Sequence, residues 1–381
     1  MIPTIKQLSD LLPFIEGNKQ IRVKTEENGM TVVCYMVQDE DTFSGEHEHM
    51  ERECRGITFN PDGTIAARTL HKFFNIGERE DTQPHVLPWH EVTRIMEKRD
   101  GSMVTPVMMT NGVIRFPWFK TKKSFETKEA ALAAQVAVAT PGGCEWIEQL
   151  LLDGFTPTFE ITSPRFPIVI KYDKDELTLL HVRENVSGRY LTEQELQALG
   201  SPFPIVPNLI EQFSWGMADA GIPKTVEVRW DLLKQAAETT ENLEGWVIQF
   251  KNGEMVKLKT KWYNELHHAV TFTRWRDVAR AVCDDKTDDL KGAFVLCGRS
   301  IDPILAVERQ IKQRIEQAEM IVNSIVADAQ QQNFDAKTTA LTYKDNPLFG
   351  LIMTKFRGKE PSWMEWYVKH HLEKDWGLEV I

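Results

Sequence analysis

The stretch EKRDGSM, residues 97–103, sets Lys98 two residues before Asp100 and three before Gly101. A charged run with Asp-Gly is an ordinary turn signal. Lys-x-Asp-Gly is also the spacing of a lysine that bonds covalently to a nucleoside monophosphate, and by itself it is a weak signal. A free lysine has a pKa of ~10.4, so only about 0.04% is neutral at pH 7. A nucleophilic lysine therefore needs nearby cations or a metal to disfavour its charged form.

The chain supplies cations at strand spacing. In VKLKTKWY, Lys257, Lys259 and Lys261 are two apart. On a strand they share one face, while Val256 and Leu258 face the core. Lys120 and Lys122 in FKTKKSF alternate in the same manner. Such a face can bind a triphosphate; its bland counterpart is a solvated sheet surface. Two carboxylates have matching placements. Glu160 stands between Phe159 and Ile161, and Glu244 precedes Gly245 in NLEGWVIQF. An acid alone on a cleft face can hold a ribose hydroxyl or a hydrated divalent ion. Arg55 in ECRGITF and Lys72 in HKFFN lie at the ends of strand patterns. His47 and His49 in HEH have no third ligand nearby and read as a polar loop.

These residues need sheets to hold them, and the first ~250 residues read as mixed α and β. Residues 30–37 and 55–68 read as strands, the second a hairpin around Pro61-Asp62-Gly63. Further hairpins are expected at Asn111-Gly112 and Asn252-Gly253. TPTFEIT and ELTLLHVRE are strands, 127–138 a helix, and Thr192 with Glu195 a capping box. After Tyr263 helical patterns take over. In DPILAVERQIKQRIEQAEMIVNSIV, Asp302 is the expected N-cap and Pro303 the first helical residue. Ile304, Val307, Ile311, Ile315, Ala318, Val322 and Ile325 fall on one face. The division expected is 1–263 and 264–381.

The bulk numbers fit two domains of a globular protein: 381 residues, 42% hydrophobic and 27% charged. No apolar run approaches the ~20 residues of a membrane span, and no signal peptide is read at the N-terminus. A cytoplasmic protein is expected, in an infected host cell if the chain is phage-encoded. The five cysteines include no Cys-x-x-Cys pair, so reduced, mostly buried thiols are expected. A net charge of −11 argues against a nucleic-acid partner, but says nothing about a local basic cleft.

Order changes the reading. ECRG, KFFN, KRDGS, FKTKKS, FEI, EGWVI and VKLKTKWY form one series. It resembles the covalent nucleotidyltransferase superfamily of ATP-dependent ligases and capping enzymes, and within it the phage RNA ligase 1 family of tRNA-repair ligases. TDDLKGAF (287–294) and PLFGLIMTKFRG (347–358) extend the resemblance into the helical part. The resemblance implies an α+β fold: an antiparallel-sheet adenylyltransferase domain followed by an all-α C-terminal domain. It implies Lys98 as the adenylated nucleophile. Arg55, Lys72, Lys257 and Lys259 match phosphate and ribose contacts, with Phe74 the aromatic beside Lys72. Lys122, with Lys120 as the alternative, matches a further nucleotide contact, as do Tyr35 and Gly101. Glu160 matches the ribose-binding acid, Glu244 the acid of the fourth motif, and Asp288 a metal-associated acid. Arg99 stands where the family often has an acid. The implied cofactors are ATP and Mg²⁺ or Mn²⁺; the implied partner is RNA, a tRNA with a broken anticodon loop, and the protein a monomer. Rival readings are an RNA capping guanylyltransferase or DNA ligase, which usually continue into a β-rich domain, and a catalytically silent RNA-binding protein.

Overall fold

The computed structural model describes residues 2–36, 42–43, 45–110, 115–215, 227–265, 275–296 and 300–376. The chain divides into two compact units. One comprises 1–270 with 291–299, the other 271–290 with 300–381.

The first unit is built on three four-stranded sheets. One has the order β1 (Ile21–Thr25), β2 (Thr31–Tyr35), β3 (Arg55–Phe59), β4 (Ile65–Ala67). The third contains β5 (Phe74–Asn75) and β6 (Val92–Lys98), and the second β7 (Ser102–Thr110), β8 (Arg115–Lys120), β9 (Phe155–Thr162) and β10 (Glu176–Glu184). Strands β11 (Ser214–Trp215) and β12 (Glu227–Val228) pair with each other, and β13 (Gly245–Phe250) and β14 (Met255–Lys259) complete the third sheet. The second sheet runs β10-β9-β7-β8 and the third β5-β14-β13-β6. Among the described residues every strand ladder is antiparallel except β14 with β5.

Turn chemistry sets the registers. At 60–63 the Gly63 amide donates to Asn60 O at 2.9 Å, with Gly63 at φ +85°. At Asn252-Gly253 the Asn252 side chain accepts from Glu254 N at 2.9 Å. The turn expected at Asn111-Gly112 lies outside the described residues. Alternation then sorts the faces. Phe159 and Ile161 are buried under helices Lys128–Ala139 and Gly143–Leu152. Val256, Leu258, Trp246 and Ile248 share a core with Leu233 and Ala237 of helix Trp230–Thr239. The helix expected at 127–138 is capped by Thr127, which accepts from Ala130 N. The Thr192–Glu195 capping box is formed.

The second unit is helical. Its long helix, Asp302–Gln331, buries Ile304, Val307, Ile311, Ala318 and Val322 on one face. Ile315 and Ile325 are only half-buried. The start differs by one residue from expectation: Ile301 is the N-cap and Asp302 is already helical. The Ser300 hydroxyl accepts from Asp302 N, the first helical amide, at 3.1 Å. Leu351 and Ile352 are buried on helix Phe349–Phe356, which packs against the long helix. Among the described residues no helix is long and apolar enough to cross a membrane. Cys34, Cys54, Cys144 and Cys283 are free thiols, and Cys297 lies outside the described residues.

Candidate active site

The third sheet brings together residues 98, 244 and 259, far apart in sequence. Gly245 opens the central strand β13 and pairs with Lys98 at the end of β6 and with Lys259 at the end of β14. Gly245 sits at φ +151°, and a Cβ there would come within 1.9 Å of Leu258 O. Only glycine lets the three strands close at this level. Glu244, one residue before, is thereby set between two ammonium groups. Its Oε1 accepts from Lys98 Nζ at 2.8 Å and from Lys259 Nζ at 3.0 Å. Glu244 is buried, and so are Lys257 and Lys259 on the face of β14 opposite Val256 and Leu258. The lysine face is thus an interior surface, not a solvated one. Lys261 does not belong to it. The strand ends at Lys259, residues 261–265 are helical, and the Lys261 side chain is 60% exposed beside Glu265. The expected alternation fails there because Thr260 caps the turn, bonding Leu243 O and Tyr263 N.

The second sheet adds Glu160. Gly101 lies against β9, where a Cβ would meet Ile161 O at 2.4 Å and Glu160 Cγ at 3.1 Å. The glycine of Lys-x-Asp-Gly therefore allows the segment after the lysine to cross β9 at Glu160. Protein packed around the Glu160 carboxyl pushes its pKa up to about 8; Lys98 and Arg55 pull it down, Glu244 and Asp100 up. At neutral pH the group is mainly a neutral acid, able to donate as well as accept a hydrogen bond. A folded value above the ordinary carboxyl value of 4.5 means that the folded chain binds the proton more tightly than the unfolded one. The stability this group contributes is complete below pH ~4.5 and is lost as pH rises toward ~8. Glu160→Gln should match the parent near pH 4.5 and melt a few degrees higher by pH 8, as followed by thermal unfolding across that range. A difference that stays flat with pH would show that Glu160 is ionised throughout.

An aromatic and cationic cluster forms where Tyr35 of the first sheet meets Phe74 of the third. Lys72 Nζ lies 4.8 Å from the Phe74 ring centroid and 6.0 Å from that of Tyr35. Lys122 Nζ lies 4.0 Å from the Tyr35 centroid. These contacts have cation–π geometry. Phe74 and Tyr35 are buried beside Phe43, so they form the wall of this corner as much as its lining. Arg55 stacks on Phe73 at 5.0 Å and donates to His71 O at 3.2 Å. Its Nε is buried with no hydrogen-bond partner, a donor available to an incoming acceptor. Lys120 and Lys122 have different environments. Lys120 is fully buried, donates to Gly56 O at 2.9 Å, and burial lowers its pKa to about 8. It holds β8 onto β3, whereas Lys122 stands beside Tyr35.

Sequence reasoning missed the anchors behind these groups. Asp100 is buried and accepts from Val169 N at 2.9 Å, Ile170 N at 2.7 Å and Tyr263 OH at 2.7 Å. It ties the segment after Lys98 to the loop following β9 and to the turn following β14. Its signal was in Lys-x-Asp-Gly itself. Arg52 donates to Lys72 O at 2.8 Å and its carbonyl accepts Lys72 N at 2.7 Å, fixing that backbone. Glu53 is buried between Arg68 and Arg183, which lie 15 and 130 residues away in sequence.

Asp288 lies on helix Thr287–Leu296, in the portion belonging to the second unit. Among the described residues no group of three or more His, Cys, Asp or Glu is disposed to hold a metal ion. His47 and His49 instead pack around Phe14. The donor set fits a nucleoside triphosphate: cations from four motifs, a neutral acid and an acid held between two lysines. A divalent ion fits it only as a partner of the phosphates, with Glu160 and Glu244 as the acids at hand.

The motif series is thus carried on antiparallel sheets that are followed by helices. The RNA ligase family matches residues 53–263, and the chain belongs to that family. A candidate RNA ligase of Thermovibrio ammonificans is 32% identical over 271 residues, 70% of this chain and 65% of that protein. RNA ligase 1 of bacteriophage TS2126 is 26% identical over 319 residues, 79% of this chain and 72% of that protein. The chain thus spans a little under two thirds of the first relative's length. A candidate ATP-dependent DNA ligase of Aquifex aeolicus aligns over 82% of this chain and 80% of its own, with 13% identity and a TM-score of 0.46, too remote to carry weight.

Proposed function

We propose that the protein is an ATP-dependent RNA ligase that works through a lysyl-AMP intermediate on Lys98. The observation that carries the reading is the Lys98–Glu244–Lys259 contact, built from three strands at the mouth of one sheet. Lys98 Nζ attacks the α-phosphorus of ATP; the bond to the leaving oxygen breaks, pyrophosphate departs, and the lysine proton is lost. The attacking nitrogen must give up its contact with Glu244. Lys259 stays on that carboxylate and keeps it neutralised. A 5′-phosphate oxygen of RNA then attacks the same phosphorus, and the nitrogen leaves and regains a proton. An RNA 3′-hydroxyl finally displaces AMP from the activated end. Lys257, Lys259, Lys72 and Arg55 neutralise the phosphates, and fixed charges of this kind are the largest contribution in such displacements. Glu160 holds a ribose hydroxyl. A divalent ion, when bound, supplies charge neutralisation on the same phosphates.

Labelled ATP or GTP and denaturing electrophoresis test the reading. A labelled chain with ATP, and none with GTP, is expected; label from GTP alone would favour a capping enzyme. The two strand lysines separate specific contact from bulk charge. Lys257→Ala and Lys259→Ala should each lower adduct formation by about 10²–10³-fold. Lys261→Ala should change it by no more than about two-fold, its charge being solvated. Equal losses at all three would point to general electrostatics. The second unit is proposed as the part that favours tRNA with a broken anticodon loop. Ligation of nicked tRNA against unstructured RNA measures that preference, and equal rates would sink it.

A further inference from the structure

We infer that Phe116 and Trp118, on the edge strand β8, form a stacking platform for unpaired bases of the RNA strand whose end enters the nucleotide cleft. The inference rests on the ligase reading above and names where that RNA is held. Strand β8 is the last in its sheet. Trp118 is 46% exposed, and its ring meets that of Phe116 edge-on at 5.8 Å. Residues 116, 118 and 120 alternate onto one face of the strand. That face is the one from which Lys120 reaches Gly56 O. Arg115, Pro117 and Phe119 take the other, and Phe119 is buried in the core of the second sheet. The aromatic pair is therefore on the side toward β3.

The strand leads straight into the cleft. Beyond Lys120 the backbone lies on the Arg55-Gly56 corner, so closely that a Cβ on Gly56 would come within 2.4 Å of Lys122 O. Lys122 then stands over Tyr35. An aromatic surface and a cationic corner of the nucleotide site thus follow one another along a single strand. Charge agrees. Residues 115–125, RFPWFKTKKSF, carry Arg115, Lys120, Lys122 and Lys123 and no acid, in a chain whose net charge is −11. Aromatic rings beside a basic track are how single strands are held without sequence preference, since every base has a π-face.

A second copy of this chain would fit the surface less well. Arg115, Lys122 and Lys123 would face their own duplicates, and Pro117 lacks an N–H for strand addition at the edge. The large exposed ring is unexplained by folding, because Phe119 and Lys120 already fix β8 in place.

Binding of a short 5′-phosphorylated single-stranded oligoribonucleotide to the full-length protein, read by fluorescence anisotropy, tests the inference. Trp118→Ala should bind about ten-fold more weakly, and Trp118→Phe close to the parent. Both should form lysyl-AMP from ATP at the parent rate. An abasic oligonucleotide with the same phosphates should bind the parent protein about ten-fold more weakly, and Trp118→Ala should add nothing to that loss. The comparison of intact and abasic strands on the parent protein needs no variant to fold. Unchanged affinity in Trp118→Ala, an equal further loss on the abasic strand, or no binding by the parent would each overturn the platform. So would a parent solution mass twice that of Trp118→Ala, which would place a second copy on the surface. Absence of lysyl-AMP in the parent would instead remove the ligase reading, and is scored separately from strand binding.

Discussion

Lys98→Ala should yield no protein–AMP adduct from ATP, yet should still seal RNA that already carries a 5′-adenylate. The first half follows from the attacking atom. The neighbouring amine, Lys259 Nζ, has a side chain only 1% exposed and held to Glu244, so it does not substitute for Lys98, whose side chain is 23% exposed. The second half follows because a preformed 5′-adenylate skips the step that needs the lysine. The substitution should spare the fold. Glu244 keeps Lys259 at 3.0 Å, so no buried carboxylate is stranded. Labelled adduct on a denaturing gel, sealing of pre-adenylated RNA and a melting curve read the three parts together. An adduct at parental yield would remove Lys98 from the mechanism. Loss of both activities with a normal melt would mean that the lysine also positions RNA.

Much of this site was legible from local pattern because strand alternation and glycine placement are local rules. The two faces of β14 follow from Val256-Lys257-Leu258-Lys259 alone. So does the isolation of Glu160 between Phe159 and Ile161, whose side chains are buried. The repeats stop at the ends of elements, where hydrogen bonds outside the repeat decide the outcome. Thr260 ends the strand before Lys261, and the N-cap of the long helix is Ile301, one residue before Asp302. Alternation puts Lys120 and Lys122 on one face, so it left Lys120 open as the alternative to Lys122. What separates them is a carbonyl on another sheet, Gly56 O, which no spacing in FKTKKSF could reveal. The buried anchors were invisible for the same reason. Nothing around Glu53 distinguishes it from a surface acid until β10 brings Arg183 to it across 130 residues.

That anchor carries the second large effect. Glu53 Oε2 accepts from Arg68 Nε at 3.0 Å and from Arg183 at 2.8 Å, and Oε1 accepts from Arg183 at 2.6 Å. Both arginines also hold backbone carbonyls: Thr69 and Gly188 for Arg183, Pro3, Asn185 and Val186 for Arg68. One carboxylate thus fastens β10 to the segment between Arg55 and Lys72. Glu53→Ala leaves two guanidinium groups buried without their counter-charge, which costs about 3–5 kcal/mol. At about 2–4 °C per kcal/mol for a unit of this size, the melting temperature should fall by roughly 10 °C. Adduct formation should fall with it at temperatures where the variant is still folded, because the Arg55 and Lys72 backbones lose their shared support. The pH dependence has a definite sign. Burial would raise the Glu53 pKa, but Arg183 and Arg68 outweigh it and hold it down to about 2, below the ordinary carboxyl value of 4.5. The carboxylate's contribution is therefore complete above pH ~4.5 and is lost as pH falls toward ~2. Urea unfolding of the parent and Glu53→Gln should show a constant gap from pH 7 to 5 that narrows below pH 4.5. A variant that melts within a degree of the parent would mean that the two arginines are held by their backbone carbonyls alone. A gap that widens on acidification would mean that the carboxyl is already protonated in the native protein.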